Sequence, residues 1–213
     1  MGATLELDQL ILQSVKRRGL LVAYHFIGLP YLPNLMKRNG LWCANRLREW
    51  RDQFDDDPTR WGTRAKGEAF GGYISCSVNP PMGMMKPNRR PLILELTASV
   101  LALPGTAFVG KWSSFRDVGT EALNQVGPDW FDRMFQTDKA NRAIPHPGEF
   151  LVREHVPLSY VRRFIFYSDD DMRETRLLLE KTEVTGRTPQ GTIKVAVEPL
   201  LFGRAMQETE DLE

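Results

Sequence analysis

The sequence predicts an α+β protein built around one hydrophobic core. Apolar residues recur at both helical and strand spacing, and the two patterns mix without the strand–helix–strand regularity of a doubly wound sheet. The composition is that of a globular protein, with 42% hydrophobic and 26% charged residues. A chain of 213 residues buries roughly 70% of the surface that its unfolded form exposes, which supports a core without disulfides.

The predicted helices combine apolar residues three and four positions apart with recognisable ends. In the first helix Leu10, Ile11 and Val15 share one face, and Gly19 follows as a C-terminal cap. In the last helix Asp169 is the expected N-terminal cap. We expect helices over 8–18, 31–39, 46–54 and 170–181, and helical stretches around 120–125 and 128–135.

The predicted strands are short apolar or alternating runs rich in β-branched and aromatic residues. We expect them over 20–27, 73–78, 92–96, 106–109, 149–152, 163–167 and 192–197. Three aspartates, a proline and several glycines interrupt both patterns over 55–72. Because a loop this long in a compact domain is usually functional, we expect 42–91 to contain substrate-binding loops.

Composition and missing motifs exclude several classes of protein. The 28 Lys and Arg against 27 Asp and Glu give a net charge of +1, which excludes a histone-like nucleic-acid coat. Cys43, Cys76 and three scattered histidines lack the spacing of a zinc site, so we expect no metal. Glycine-rich dinucleotide loops, phosphate loops and the Gly-x-Ser-x-Gly elbow are absent. With no signal-peptide pattern and no apolar run near the length of about 18 residues, we expect a cytoplasmic protein without a membrane segment.

Two segments carry a polar side chain at the end of an apolar strand, where clefts form. His25 lies in the first of them, and a histidine there either contacts a ribose hydroxyl or a pyrophosphate or is a half-buried structural residue. Glu149 begins the second segment and is either a cleft carboxylate or an exposed edge charge. The residues by themselves leave both alternatives open.

The same two segments match the opening and closing patterns of a known family. The first contains Tyr24-His25-Phe26, Leu32-Pro33-Asn34-Leu35-Met36 and Asn39-Gly40-Leu41. The second contains Gly148-Glu149-Phe150-Leu151-Val152, His155-Val156-Pro157, Val161 and Ile165-Phe166-Tyr167-Ser168. In order and separation, over about residues 20 to 180, they resemble the DarT family, toxin ADP-ribosyltransferases that use NAD to modify bases in DNA.

The resemblance implies one ADP-ribosyltransferase-like domain over 1–213, with an N-terminal helix within 1–19 and a central mixed or antiparallel sheet flanked by helices. By the same resemblance Glu149 is the catalytic glutamate and His25 holds NAD, the ADP-ribose donor. The further residues expected to contact NAD are Phe26, Ile27, Tyr31, Tyr73 and Ser75. A family arginine that serves the active site is best matched by Arg64, with Arg60 and Arg51 as alternatives.

Charge and aromatic residues suggest where nucleic acid binds. Residues 37–66 contain eight Lys and Arg against five Asp and Glu, with tryptophans interleaved. Cations beside aromatic faces are typical of sites for single strands, although the same residues can be core aromatics and solvated charges. The residues that we expect to contact nucleic acid are Arg60, Trp61, Arg89, Arg90 and Trp112.

Departures from the family pattern leave the acceptor open. Ile27 stands where the family has threonine, and Tyr31 where it has a helix-entry asparagine. We expect a base of single-stranded DNA as acceptor, with RNA as the alternative and a non-catalytic nucleic-acid-binding domain as the second alternative. The resemblance also implies a role as the toxin of a toxin–antitoxin or phage-defence system. Its expected partner is an antitoxin such as an ADP-ribosyl-removing macrodomain protein.

Overall fold

The computed structural model describes residues 6–50, 70–80, 90–109, 119–135, 148–181, 187–188 and 191–202. Within these ranges the α-helices are α1 (Gln9–Arg17), α2 (Leu32–Lys37), α3 (Ala44–Glu49), α4 (Pro128–Met134) and α5 (Asp169–Lys181). The strands are β1 (Val22–Gly28), β2 (Gly40–Trp42), β3 (Tyr73–Ser77), β4 (Pro91–Thr97), β5 (Ala107–Phe108), β6 (Glu149–Arg153), β7 (His155–Pro157), β8 (Val161–Phe166), β9 (Arg187–Thr188), β10 (Gly191–Thr192) and β11 (Lys194–Val197).

The centre of the molecule is a seven-stranded sheet in the order β11-β8-β4-β1-β3-β6-β5. All its neighbouring strands are antiparallel except β11 and β8, which run parallel. Two further two-stranded sheets pair β2 with β7 and β9 with β10. This mostly antiparallel sheet with flanking helices confirms the predicted α+β fold class.

The two ends of α1 follow from its sequence. The Asp8 carboxylate accepts hydrogen bonds from the backbone N–H groups of Leu10 and Ile11, at 3.0 and 3.1 Å. Gly19 has a φ of +67°, the left-handed conformation that ends helices and favours glycine. At α5 the prediction was wrong in one detail: Asp169 lies inside the first turn, and the hydroxyl of Ser168 accepts the N–H of Asp171 at 3.1 Å.

The β2–β7 sheet is an element that the sequence pattern did not predict. It begins at Gly40, which has a φ of +142° and pairs with Pro157. A Cβ at position 40 would lie within 2.3 Å of the carbonyl oxygen of Val156, so the close approach of β2 to β7 requires glycine here. Helix α2 ends at Lys37, and β2 begins three residues later at Gly40.

Side chains on the central sheet separate into two faces. One face carries the main core, to which Ala23 and Ile27 of β1, Cys76 of β3 and Phe150 of β6 belong. On the other face a smaller cluster forms around Ile93, Ile165 and Phe202, with Tyr24 and Phe26 packed against it. Since neighbouring residues of a strand point to opposite faces, His25 shares the main-core face and Tyr24 the other.

Candidate active site

Polar residues form a continuous row across the smaller-cluster face of the sheet. Glu149 of β6 is the direct partner of Ser77 in β3, and Ser77 is the direct partner of Tyr24 in β1. The row continues through Glu95 of β4 to Arg163 of β8. Direct partners carry their side chains on the same face, so Glu149 lies at one end of a row of polar side chains on this face of the sheet.

The sheet opens between β1 and β3. Strand β1 pairs with β4 through seven consecutive residues, from Val22 to Gly28. With β3 it forms one pair, Tyr24 with Ser77, among the residues that the structure describes. Strand β3 continues instead along β6 for its whole length. Beyond Tyr24, the edge of β1 that faces β3 is therefore not tied into a ladder with any described strand.

Ser75 connects the two residues that the motifs single out. Its backbone carbonyl accepts a hydrogen bond from Nδ1 of His25 at 2.6 Å. Its hydroxyl donates to Oε1 of Glu149 at 2.5 Å. The carbonyl lies in the plane of the sheet and the hydroxyl on the face of Glu149, so Ser75 links a histidine on one face to a carboxylate on the other.

The hydrogen bond to Ser75 decides which proton His25 carries. Burial lowers the pKa of His25 to about 4, although the hydrogen bond to the Ser75 carbonyl opposes this in part. The imidazole is therefore neutral near pH 7, and its one proton sits on Nδ1 because a carbonyl oxygen only accepts. Nε2 is left with a lone pair, which can accept a hydrogen bond from a ligand hydroxyl.

The backbone holds Glu149 from both sides. Its own carbonyl accepts the N–H of Val109 at 3.0 Å, and the carbonyl of Gly148 accepts the N–H of Val78 at 3.1 Å. The Glu149 residue is 3% exposed. Gly148 has a φ of +54°, and a Cβ there would lie 2.5 Å from Cγ2 of Val78. Glycine is thus required immediately before the glutamate, both for the conformation and for the space.

Cys76 lies beside this site but has the character of a packing residue. Burial raises the pKa of its thiol, and the nearby Glu149 carboxylate raises it further. A thiol held in its protonated form is a poor nucleophile. Cys76 is therefore a poor candidate for a nucleophile at this site.

The structure distributes the other expected NAD contacts unevenly. Phe26 is half-buried next to His25, and Ile27 is buried in the main core. Tyr73 shares a strand and a face with Ser75 but lies opposite Arg153, at the far end of β6 from Glu149. Tyr31 is 5% exposed, and burial raises the pKa of its hydroxyl. Tyr31 is thus a core residue, and its contact with NAD remains a prediction.

Most of the expected nucleic-acid contacts and the three candidate active-site arginines fall outside the ranges that the structure describes. Arg51, Arg60, Trp61, Arg64, Arg89 and Trp112 lie outside the described residues. Arg90 is described, and it binds two carboxylates of α5. Its Nη2 lies 2.7 Å from Asp171 and 2.6 Å from Glu174. The charge of Arg90 is therefore balanced within the protein.

Two tryptophans of the basic stretch form a cluster away from Glu149. Trp42 stacks on His155 with ring centroids 3.8 Å apart, and its Nε1 donates to the carbonyl of Arg38 at 3.0 Å. Trp50 meets the edge of Trp42 at 4.9 Å and lies under the Arg38 guanidinium. Trp42 ends β2 and His155 begins β7, so the cluster belongs to the β2–β7 sheet. His155 follows the end of β6, whereas Glu149 begins that strand.

Sequence reasoning did not single out Tyr24 or Ser77 as site residues. Both lie in the polar row with Glu149, and Tyr24 is half-buried. The hydroxyl of Ser77 donates to the carbonyl of Asn79 and accepts its N–H, which shapes the turn after β3. The alternation of polar residues at Tyr73, Ser75 and Ser77 was the available signal, because period-two spacing puts all three on one face.

Two features are absent from the described part of the chain. Across those ranges, no group of three or more His, Cys, Asp and Glu side chains is placed to hold a metal ion. Within the same residues, no helix combines the length and the apolar character needed to cross a membrane.

Solved structures with the same fold are known, whereas comparison with family models and curated proteins finds no match. No protein-family model matches the chain, and no curated protein matches it in sequence. The structure of Thermus sp. 2.9 DarT in complex with NAD+ superposes with a TM-score of 0.54 at 15% identity, over 86% of this chain and 98% of that one. The same DarT in complex with ADP-ribosylated ssDNA gives 0.50 at 15% identity, over 86% and 97% of the two chains.

A third structure, Thermosipho africanus DarTG in complex with ADP-ribose, gives a TM-score of 0.52 at 10% identity. It matches over 85% of this chain, which corresponds to 51% of the longer DarTG chain. At these identities the likeness is one of fold. The chain thus has the fold of the DarT structures, as the two motif segments predicted.

Proposed function

We propose that this chain is an NAD-dependent ADP-ribosyltransferase that modifies a base in single-stranded DNA. The observation that carries the proposal is the hydrogen-bonded connection from His25 through Ser75 to Glu149. It occurs on a fold whose solved examples are in complex with NAD+ and with ADP-ribosylated ssDNA. The fold alone would not support an activity, whereas a buried carboxylate beside an opening in the sheet does.

The donor side of the proposed reaction uses β1. NAD is held with a ribose hydroxyl donating to Nε2 of His25, whose other nitrogen is already engaged with Ser75. The free edge of β1 around Phe26 and Ile27 offers backbone N–H and C=O groups to the nicotinamide amide. These contacts need no side-chain hydroxyl at position 27, which is consistent with the isoleucine there.

Glu149 carries the chemistry of transfer in this proposal. Breaking the bond between nicotinamide and ribose develops positive charge on the anomeric carbon, as in glycoside cleavage. A carboxylate near that carbon stabilises the charge and can take a proton from the acceptor base. Fixed by Ser75 and by the backbone, Glu149 would need little reorganisation as the charge develops.

Transfer of label from NAD to matched oligonucleotides tests the proposal. The protein is incubated with NAD labelled in its adenylate part and with single-stranded DNA and RNA of the same base sequence. We expect label on DNA with wild-type protein and none with Glu149→Gln. Label on RNA alone would change the acceptor, and no label on either with a folded protein would favour the non-catalytic alternative.

The cellular role that we propose is that of a toxin in a toxin–antitoxin or phage-defence system, acting in the cytoplasm. Modification of DNA bases blocks use of the template, so expression of the wild-type chain should stop growth and Glu149→Gln should not. The proposed partner is an antitoxin, such as a macrodomain protein that removes ADP-ribose. NAD is the only small molecule that the proposed reaction requires, and the single-domain organisation over 1–213 remains a prediction.

A further inference from the structure

A patch of positive charge borders the start of β1, outside the segment that the sequence suggested for nucleic acid. Lys16 and Arg17 lie in the last turn of α1, and both are exposed. From β8, Nη1 of Arg162 donates to the carbonyl of Leu21 at 3.5 Å. Leu21 joins α1 to β1 and is 76% exposed. We refer to Lys16, Arg17, Leu21 and Arg162 as the basic rim.

Nearby acidic side chains already have partners. Asp132 of α4 forms an ion pair with Arg18 at 2.8 Å. Glu95 is buried and forms its short ion pair with Arg163 at 2.6 Å, while Nε of Arg162 is 3.8 Å from it. Among the described residues, no carboxylate lies within ion-pair distance of Lys16 or Arg17. Lys16 and Arg17 therefore carry positive charge without a described counter-charge, while Arg162 shares Glu95 with Arg163.

Leu21 lies at the same end of the sheet as Glu149. Helix α1 packs through Ile11 and Val15 on the main-core face, opposite the face of Glu149, so a strand held by the rim crosses this end of the sheet. Tyr24 lies two strands away from Glu149, in the row of polar residues that crosses the sheet. Leu21 precedes Tyr24 by three residues. With strands about 4.8 Å apart and about 3.3 Å per residue, Leu21 is about 14 Å from Glu149. A bound single strand that occupies about 4 to 16 nucleotides spans such a distance easily.

We propose that the basic rim binds the phosphate backbone of the acceptor strand while one of its bases reaches Glu149. The proposal rests on the proposed function, because a nucleic-acid acceptor makes the ligand a polyanion. Phosphate contacts position a strand without reading its sequence, which suits exposed lysine and arginine side chains. The exposed Leu21, whose carbonyl accepts from Arg162, offers an apolar surface for a neighbouring sugar or base.

The salt dependence of binding tests the rim. Affinity for a fluorescent single-stranded oligonucleotide is measured by anisotropy at increasing KCl concentration. The double variant Lys16→Gln/Arg17→Gln should lower the slope of log affinity against log salt by about 1.4, since each phosphate contact with a single strand contributes about 0.7. Adding Arg162→Gln should lower it by about 0.7 more.

A matched control removes two charges from another exposed helix. Arg173 and Arg176 of α5 are exposed, and Arg173→Gln/Arg176→Gln changes the net charge equally. We expect the wild-type slope for this control, and also for the exchange Lys16→Arg/Arg17→Lys, which keeps both charges. In the transfer assay the rim variant should raise the KM for the oligonucleotide about tenfold and leave the KM for NAD unchanged.

Equal slopes in the rim and control variants would contradict phosphate binding by the basic rim. The absence of oligonucleotide binding by the wild-type protein would contradict it too. Because binding is measured without NAD, this outcome is separate from the outcome for the proposed function. A wild-type protein that binds the oligonucleotide but never transfers label would contradict the transferase. The rim would still be tested by its slope.

Discussion

The hydroxyl of Ser75 donates a hydrogen bond to Oε1 of Glu149 across neighbouring strands, at 2.5 Å. The two residues are diagonal neighbours, because Glu149 is the direct partner of Ser77, two residues further along β3. Ser75 at the same time accepts from His25 through its carbonyl. A single residue thereby fixes the expected catalytic carboxylate and the expected NAD-binding histidine relative to each other.

Glu149→Gln is expected to lower kcat for transfer by about a thousandfold, because the amide carries no negative charge for the developing cation. Glutamine is nearly the same size and its amide oxygen can still accept from Ser75, so folding should be little affected. Single-turnover transfer and thermal unfolding are measured on the same preparation. A variant with near wild-type transfer would exclude Glu149 as the catalytic group.

Ser75→Ala should lower kcat about 10- to 100-fold with a small change in the KM for NAD. The substitution removes the hydroxyl that orients Glu149 and keeps the carbonyl that binds His25, so it separates the two contacts of Ser75. Ser75→Thr keeps a hydroxyl and should recover part of the rate. Steady-state kinetics with both substrates varied provide the measurement.

Ser77→Ala is the matched control for Ser75. Ser77 lies on the same strand and face, but its hydroxyl bonds to the backbone of Asn79. We expect a modest loss of stability, about 1 kcal/mol for the hydrogen bonds, and nearly unchanged kcat. If the two alanine variants lost the same activity, the effect would belong to strand β3 in general and not to the contact with Glu149.

Elements that depend on local pattern were predicted well, and those that depend on distant partners were not. The strands at the centre of the sheet, such as β4, carry enough consecutive apolar residues to be recognised, and Asp8 and Gly19 mark the ends of α1. Strands β2 and β7 have three residues each, too few to show a period. Their pairing follows from tertiary contacts around Gly40.

The candidate site shows the same division. His25, Ser75 and Glu149 were each singled out in the sequence, and the structure brings them together. Ser75 can bond to both His25 and Glu149 because of the register of β3 between β1 and β6. No local sequence pattern shows that register. Arg90 was expected to contact nucleic acid. Its partners Asp171 and Glu174 lie some eighty positions later in the chain, so no local pattern indicates these ion pairs.

Gly148→Ala is expected to destabilise the protein by about 2–4 kcal/mol and to lower transfer activity. A left-handed backbone costs an alanine roughly 1–2 kcal/mol, and the new methyl group would press against Val78. The shift would also move Glu149, the next residue. Chemical denaturation and transfer are measured on the same variant.

Two other glycines separate the contributions at Gly148. Gly19 has a φ of +67°, and an added methyl group there would meet no described atom within 4 Å, so Gly19→Ala should cost roughly 1–2 kcal/mol, for conformation alone. Gly72 has neither a positive φ nor a close neighbour among the described residues, and Gly72→Ala should change stability by less than about 0.5 kcal/mol. The same cost at all three positions would contradict the tight contact at Gly148.

His25 should make stability depend on pH between about 6.5 and 4. Burial lowers the pKa of His25 to about 4 in the folded protein, against about 6.5 in the unfolded chain. The unfolded state therefore binds the proton first as the pH falls, and the folded state loses stability. The contribution is fully present above pH 6.5 and declines by about 3 kcal/mol on the way to pH 4.

The measurement is the difference in unfolding free energy between wild type and His25→Gln across pH 4 to 8, since other titrating groups cancel in that difference. Glutamine can donate to the Ser75 carbonyl without carrying a proton that titrates. The difference should be constant above pH 7. As the pH falls below 6.5, the wild type should become less stable relative to His25→Gln. A difference that stays flat down to pH 4 would mean that the imidazole can ionise in place. Below about pH 6.5, Nε2 would then carry a proton and could not accept a hydrogen bond from a ribose hydroxyl.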